Sequence, residues 1–325
     1  MPADEFEIIA QYFAPLAQGE AARGLIDDVA VVSANGRIVL TTDTIIEGVH
    51  FLADDPLDLV ARKALRVNVS DVVAKGASPT GVLLALAWPK TKPADEIARF
   101  AAGLKQDLEH YNIPLLGGDT TATPGPLVIT ITALGEPLGE RVPSRADAQI
   151  GDDVWVTGVI GDAWLGLQAR LGTLGAASDA DVATLTKSYL LPDPPVAFAP
   201  GVAGFANASM DVSDGLLIDA EKMAHAAQAR IALDLARVPL SEAAQRWLNQ
   251  NQDRLLDLVS GGDDYQILFT AQPARRVEIE SFAAQVGVRV TKIGQVEAGQ
   301  GLSVLGPDGA ALDSPPGGFR HQIGR

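Results

Sequence analysis

Six short acidic segments stand at predicted turns or element ends of this chain. They are Asp27-Asp28, Thr41-Thr42-Asp43-Thr44, Asn68-Val69-Ser70-Asp71, Gly118-Asp119-Thr120, Asp211-Val212-Ser213-Asp214 and Gly262-Asp263-Asp264. Singly, each is what a solvated loop end or a helix cap looks like. Together they set carboxylates beside hydroxyls and glycines in a pattern that suits a hard cation. Carboxylates gathered in one cleft repel one another unless such a cation is present, and Mg²⁺ takes oxygen ligands while keeping waters for substrate phosphates. The chemistry implied is metal-assisted phosphoryl transfer.

Other chemistries are excluded by what the chain lacks. There is no GxxxxGK[ST] loop, no GxGxxG fingerprint and no GxSxG elbow. The stretch from Asp211 fails as an EF-hand, because Leu216 stands where that loop needs glycine. The absence of cysteine removes disulfides, thiolate catalysis and Cys-based zinc sites. Four histidines, His50, His110, His225 and His321, with no HExxH, argue against a zinc enzyme.

Charge and length narrow the class further. Forty-one acids against 25 bases give a net charge of −16, which argues against nucleic-acid or anionic-membrane partners and favours divalent cations. At 325 residues, 47% of them apolar, the chain can bury two cores, given about 150 residues per domain. Neither a signal peptide nor a run of ~18 apolar residues is present, so the expectation is a soluble cytoplasmic protein.

The elements that must position the acids follow from periodicity. Phe6, Ile9, Tyr12, Phe13 and Leu16 outline an opening amphipathic helix. Residues 29–33 and 37–42 flank Asn35-Gly36, the signal for a tight hairpin. Antiparallel pairing there would bring Asp27, Asp28 and Asp43 to one sheet edge. Asp55-Pro56 opens a helix running to Gly76, on which Asn68 and Asp71 share a face. Gly81 to Trp88 is a buried strand, Pro93 opens a helix to Tyr111, Pro114 to Leu116 is a short strand and Leu127 to Leu134 a longer one. Turn residues from Pro137 to Ile150 mark the domain boundary, placed at 138/139.

The second half reads as strand 153–157, helix 163–171, strand 207–212, a helix from Leu216, strand 231–235, one helix 241–259, strand 265–270, a helix to Gln285, strand 288–293 and a hairpin at Asp308-Gly309. Ser213 or Asp214 is the expected N-cap of the helix from Leu216, with Asp211 one acid more than a cap requires. Val69-Ser70-Asp71 recurs as Val212-Ser213-Asp214, and Gly117-Gly118-Asp119 as Gly261-Gly262-Asp263, at almost the same separation. A duplicated unit would place these segments on equivalent elements.

The ordered series Ile26-Asp27-Asp28, Thr41 to Thr44 with Glu47-Gly48-Val49-His50-Phe51, Asn68 to Asp71, Gly117 to Thr120, Arg145 with Gly151-Asp152, Asp211 to Gly215, and Ser260 to Tyr265 resembles the thiamine-monophosphate kinase family over nearly the whole chain. The resemblance implies ATP-dependent phosphorylation of thiamine monophosphate to thiamine diphosphate. It also implies a homodimer formed through the N-terminal domains. The fold implied is α/β (α+β), of the two-domain aminoimidazole ribonucleotide synthetase type, with an N-terminal mixed sheet over 1–138 and a C-terminal α/β sandwich over 139–325.

By motif position, Asp28, Thr41, Thr42, Asp43, Asp71, Asp119, Asp211 and Asp214 would hold several Mg²⁺ ions, with Asp43, Asp71 and Asp214 central to catalysis. Tyr111, Gly118, Arg145 and Ser213 would contact ATP, and His50, Asp263 and Phe319 the thiamine monophosphate. The chain departs from the family pattern at Ile26 for glycine, Asp263 for glutamate, Pro195 for arginine and Phe319 for tyrosine. Two readings compete with kinase activity. One is purine-type amide cyclisation by another ATP-dependent enzyme of the same superfamily, and the other is a non-catalytic binder of nucleotide or thiamine phosphate.

Overall fold

The computed structural model describes residues 9–17 and 36–312. The expected strand at 29–33, its hairpin partner contact and the acid pair Asp27-Asp28 lie outside those residues, as does Phe319. Of the opening helix, Ile9–Phe13 forms a π-turn and Ala14–Leu16 a 3₁₀ turn, with Phe13 and Leu16 buried. The chain forms two compact units, one comprising residues 1–72 and 78–137, the other 73–77 and 138–325.

The first unit carries a four-stranded sheet with two helices. Strand β1 (Val39–Ile46) is followed by α1 (Leu57–Ala74), β2 (Ala77–Pro89), α2 (Glu96–Tyr111), β3 (Leu115–Thr123) and β4 (Val128–Pro137), in the sheet order β1-β4-β2-β3. β1 pairs antiparallel with β4, and β2 pairs parallel with β3. Since side chains alternate along a strand, Thr41, Asp43 and Ile45 share one face of β1, while Leu40, Thr42 and Thr44 are exposed on the other.

The helix expected from Asp55-Pro56 is one unbroken element. The Pro56 carbonyl accepts from Leu59 N and Val60 N, closing its first turn. α1 is buried nearly all round, Val60, Ala61, Leu65, Val69 and Val73 being 2% exposed or less, so even its polar residues Asn68 and Ser70 are enclosed. Asp107 of α2, itself buried, receives Arg66 Nε at 2.5 Å and Arg62 Nε at 2.9 Å, which ties the two helices together.

β3 is longer than its apolar start predicts. Gly117-Gly118-Asp119-Thr120-Thr121 reads as a turn, yet it continues the strand, because β2 supplies a parallel partner for each residue from Leu83↔Gly117 to Pro89↔Thr123. At Gly118 the two strands approach so closely that an added Cβ would lie 1.8 Å from Leu84 O.

The second unit contains β5 (Asp153–Thr157), α3 (Asp162–Arg170), α4 (Asp179–Leu190), α5 (Ala199–Phe205), β6 (Ala208–Val212), α6 (Leu216–Ala227), β7 (Arg230–Asp234), α7 (Glu242–Gln250), α8 (Leu255–Ser260), β8 (Gln266–Ala271), α9 (Arg276–Val286), β9 (Val290–Glu297) and β10 (Gly301–Leu305). The six strands run in the order β10-β7-β9-β5-β8-β6, antiparallel except for β10 with β7. The sheet is covered on both faces. Val154, Val156, Met210, Val212 and Leu268 pack with Leu216, Leu217, Ala220 and Met223 of α6. On the opposite face Trp155 stacks on Phe269 at 6.3 Å, and Phe198 lies against Phe269 and Phe282.

One expected element divides in two. The single helix 241–259 is two helices, since Asn251 leaves helical geometry at φ −138° and a 3₁₀ turn, Gln252–Arg254, intervenes. The internal echo is not a duplication. Ser70-Asp71 lies within a helix whereas Ser213-Asp214 precedes one, and Gly117–Asp119 lies in a strand whereas Gly261–Asp263 lies in a loop. Among the described residues, no helix is long and apolar enough to cross a membrane.

Candidate functional site

In the first unit β1 and α1 meet through residues of the acidic segments. Asp71 is one helical turn beyond Asn68, so both project from the same side of α1. Thr41 Oγ1 donates to Asp71 Oδ2 at 2.5 Å, and the Asp43 amide donates to Asn68 Oδ1 at 3.0 Å. Asn68 is itself held by its Nδ2, which donates to Ala64 O at 3.0 Å. Thr41, Asp43, Asn68 and Asp71 therefore form one half-buried oxygen-rich patch on the helix-facing side of β1. Thr42 is not part of it. Strand alternation turns its hydroxyl towards β4, where it donates to Ile131 O and accepts from Thr132 Oγ1.

The other residues singled out in this unit lie within β3, at the end of α2 and in the turn after β1. Gly118 and Asp119 are exposed on β3 opposite Leu84 and Ala85. Tyr111 closes α2, with the Arg66 guanidinium 5.7 Å from its ring centre and the His110 ring 4.7 Å away. The Ile46 amide donates to His50 Nδ1 at 3.1 Å, so the neutral ring carries its proton on Nε2, the tautomer needed to donate to a phosphate. Asp28 and Phe319 lie outside the described residues.

In the second unit the acidic turn after β6 has a different cap from the one expected. Neither Ser213 nor Asp214 caps α6. The N-cap is Gly215, whose φ of 122° is open to glycine, and a Cβ there would lie 2.4 Å from Ser260 O. The amides of Ser213 and Asp214 are satisfied instead by Asp219, whose Oδ2 accepts from both at 3.0 Å. Lys222 Nζ bridges Asp219 Oδ1, at 2.8 Å, to Asp214 Oδ2. Sequence reasoning missed both partners as functional candidates. The signal available was an acid and a base three apart in the first turns of a helix that follows an acidic turn.

The loop between α8 and β8 is zipped to that turn. Asp263 N donates to Ser213 O and Tyr265 N to Val212 O, each at 2.8 Å, and Tyr265 Oη donates to Asp263 Oδ1 at 3.1 Å. Asp263 and Tyr265 take φ values of 72° and 50°, a left-handed conformation that costs on the order of 1–3 kcal/mol for such residues and concentrates at functional sites. Between them Asp264 turns inward. Both its oxygens accept from Gly161 N at the start of α3, and burial pushes its carboxyl well above the ordinary aspartate range. Asp211 is 7% exposed on β6 beside Ile267, and Arg145 is exposed in a 3₁₀ turn that Ser144 and Asp147 cap reciprocally.

Among the described residues no three acidic or histidine side chains converge by themselves as a metal centre. Within the first unit the donors nevertheless fit Mg²⁺ in kind: Asp71 with the Thr41 hydroxyl, and Asp43, offer only oxygen, and the chain has no thiolate to compete.

The chain is similar to known proteins along most of its length. The family model described as AIR synthase related protein, N-terminal domain, matches residues 26–136, and that described as AIR synthase related protein, C-terminal domain, matches residues 149–306. Thiamine-monophosphate kinase of Caulobacter vibrioides is 43% identical over 309 residues, 93% of this chain and 86% of that protein. The crystal structure of thiamine-monophosphate kinase from Stenotrophomonas maltophilia K279a superposes with a TM-score of 0.79 at 35% identity, covering 88% of this chain and 90% of that one. AaThiL, complexed with AMPPCP and TMP, superposes with a TM-score of 0.78 at 31% identity, covering 98% and 97%.

Proposed function

Since the chain belongs to the thiamine-monophosphate kinase family of AIR synthase related proteins, we propose that it transfers the γ-phosphoryl group of ATP to thiamine monophosphate, giving thiamine diphosphate and ADP. The observation that carries this reading is the match over almost the entire chain to a structure holding TMP and AMPPCP, a non-hydrolysable ATP analogue.

The chemistry asks little of the protein in proton transfer. The attacking atom is an oxygen of the substrate phosphate, whose second ionisation lies at about pH 6, so it is already largely anionic near neutrality and needs no general base. The bond from that oxygen to the γ-phosphorus forms as the bond to the β,γ-bridging oxygen breaks, and ADP leaves with the electron pair. Several Mg²⁺ ions, when bound, supply charge neutralisation between the two anions.

The remaining work belongs to the side chains. Asp28, Thr41, Asp43, Asp71 and Asp119 of the first unit, with Asp211 and Asp214 of the second, are the residues proposed to hold Mg²⁺; the Thr42 hydroxyl, committed to β4, is left out of the set. Asp43, Asp71 and Asp214 bear most directly on turnover. Gly118, Arg145, Ser213 and Tyr111 are proposed to contact ATP. At Gly118 the bare backbone suits a closely approaching phosphate, and Arg145 is an exposed cation. His50, donating from Nε2, Asp263 and Phe319 are proposed to face thiamine monophosphate. An acid near the cationic thiazolium is electrostatically favourable, and an aromatic ring can stack on it.

The protein is proposed to act in the cytoplasm, where ATP is drawn, and as a homodimer through the first unit. Supporting the dimer is the outer face of that unit's sheet, which leaves Leu40 65% and Leu83 37% exposed.

A turnover assay tests the reading. ATP, Mg²⁺ and thiamine monophosphate should yield ADP and thiamine diphosphate in equal amounts. Tight nucleotide binding with no product would assign a binding protein. Turnover of formylglycinamidine ribonucleotide alone would assign amide cyclisation.

A further inference from the structure

The start of α6 contains two residues to which the reaction gives no role. Asp219 is a fully buried carboxylate in the first turn of the helix, and each of its oxygens is committed. Oδ2 accepts from the amides of Ser213 and Asp214, and Oδ1 from Lys222 Nζ. The same ammonium reaches Asp214 Oδ2. The second oxygen of Asp214, Oδ1, takes no hydrogen bond from the described residues, and the side chain is 34% exposed. Burial pulls Lys222 down, but the two carboxylates outweigh it and hold the ammonium above the ordinary lysine range.

From this geometry we infer that Asp219 and Lys222 are a positioning pair: together they fix the Ser213-Asp214 turn and clamp one oxygen of Asp214, so that the other is presented to a divalent cation accompanying the nucleotide. The inference rests on the proposed role of Asp214 as a Mg²⁺ ligand. A metal-binding carboxylate works best when its non-coordinating oxygen is held, because the rotamer is then settled before the ion arrives. Lys222 also removes a repulsion. Without it, Asp214 and Asp219 would face each other as two uncompensated anions, and the exposed one would swing away. Neither residue of the pair touches substrate or nucleotide in this scheme.

The test reads metal loading and not only activity. A non-hydrolysable ATP analogue is titrated calorimetrically into the full chain at graded Mg²⁺, giving the Mg²⁺ midpoint for nucleotide binding, and thermal melting without ligand reports the fold. Lys222 is 35% exposed, so Lys222→Met can be accommodated. The expected result is a midpoint raised by about 10- to 100-fold in Lys222→Met, the usual effect of losing such a partner. Lys222→Arg, which keeps a cation, should restore the midpoint towards wild type and melt with it, whereas Lys222→Met, which leaves the buried Asp219 without its cation, should melt lower while remaining folded at the temperature of the titration.

An unchanged or lowered midpoint in Lys222→Met overturns the inference, as does a midpoint that Lys222→Arg fails to restore. Wild-type protein whose nucleotide binding ignores Mg²⁺ would overturn the ligand role of Asp214 and this inference with it. The two failures are distinguished by which protein shows them.

Discussion

The Thr41 hydroxyl donates to the Asp71 carboxylate across 2.5 Å, joining a strand residue to a helix residue 30 positions away. The bond occupies one oxygen of Asp71 and fixes the direction of the other. Asp71→Asn removes the charge and keeps the shape. It should lower kcat about a hundredfold or more, on the order of 3 kcal/mol of transition-state stabilisation, with an unchanged melting temperature. Near-normal kcat at saturating Mg²⁺ would take Asp71 out of the metal set.

Gly118 tests the strand that carries Asp119. A methyl group there would lie 1.8 Å from Leu84 O, so Gly118→Ala must push β3 away from β2. Overpacking of this kind costs about 1–3 kcal/mol. Urea unfolding should show that loss, and the KM for ATP should rise with it. An alanine variant with wild-type stability and KM would mean that the close approach is relieved elsewhere.

The extent to which this site was legible in the sequence depended on whether a residue's role is local. The helix from Asp55-Pro56 to Gly76 could be read because its start and stop signals lie within its own segment, and with it the shared face of Asn68 and Asp71. The strand character of Gly117–Thr121 could not, since glycine and threonine runs signal a turn and only the parallel neighbour β2 makes them a ladder. The cap of α6 failed for a related reason. Ser213 and Asp214 are good local caps, but Gly215 is pressed against Ser260 at the end of the distant helix α8, and Asp219 reaches back to take the amides. The break at Asn251 went unread because the apolar positions on either side keep a helical rhythm.

Tyr265 bears on substrate binding. Its hydroxyl donates to Asp263 Oδ1 at 3.1 Å, from a backbone held in the left-handed region. Tyr265→Phe keeps the ring and deletes the bond, worth about 1 kcal/mol. The KM for thiamine monophosphate should rise by roughly fivefold, the equivalent of that energy, while kcat changes little. An effect on kcat alone would place Asp263 away from the substrate.

Asp153 gives a pH dependence that is independent of catalysis. Burial pushes its carboxyl up, but hydrogen bonds from Arg276 and Lys292 outweigh burial and hold it below the ordinary value of 3.8. An acid depressed in the folded state contributes stability above its unfolded pKa, and the contribution is lost as pH falls through the folded value. The urea midpoint should therefore drop between neutrality and strongly acidic pH, and Arg276→Met should make that drop smaller by removing part of the depression. Equal drops in the two proteins would contradict this.

Crystallography tests the proposed Mg²⁺ ligation by the Asp71 patch and by the Asp214 turn. A structure with a non-hydrolysable ATP analogue, Mg²⁺ and thiamine monophosphate should place Mg²⁺ at about 2.1 Å from a carboxylate oxygen of Asp71, and Mg²⁺ at the same distance from one of Asp214. Mg²⁺ held only by phosphates and water, with these carboxylates uninvolved, would contradict it.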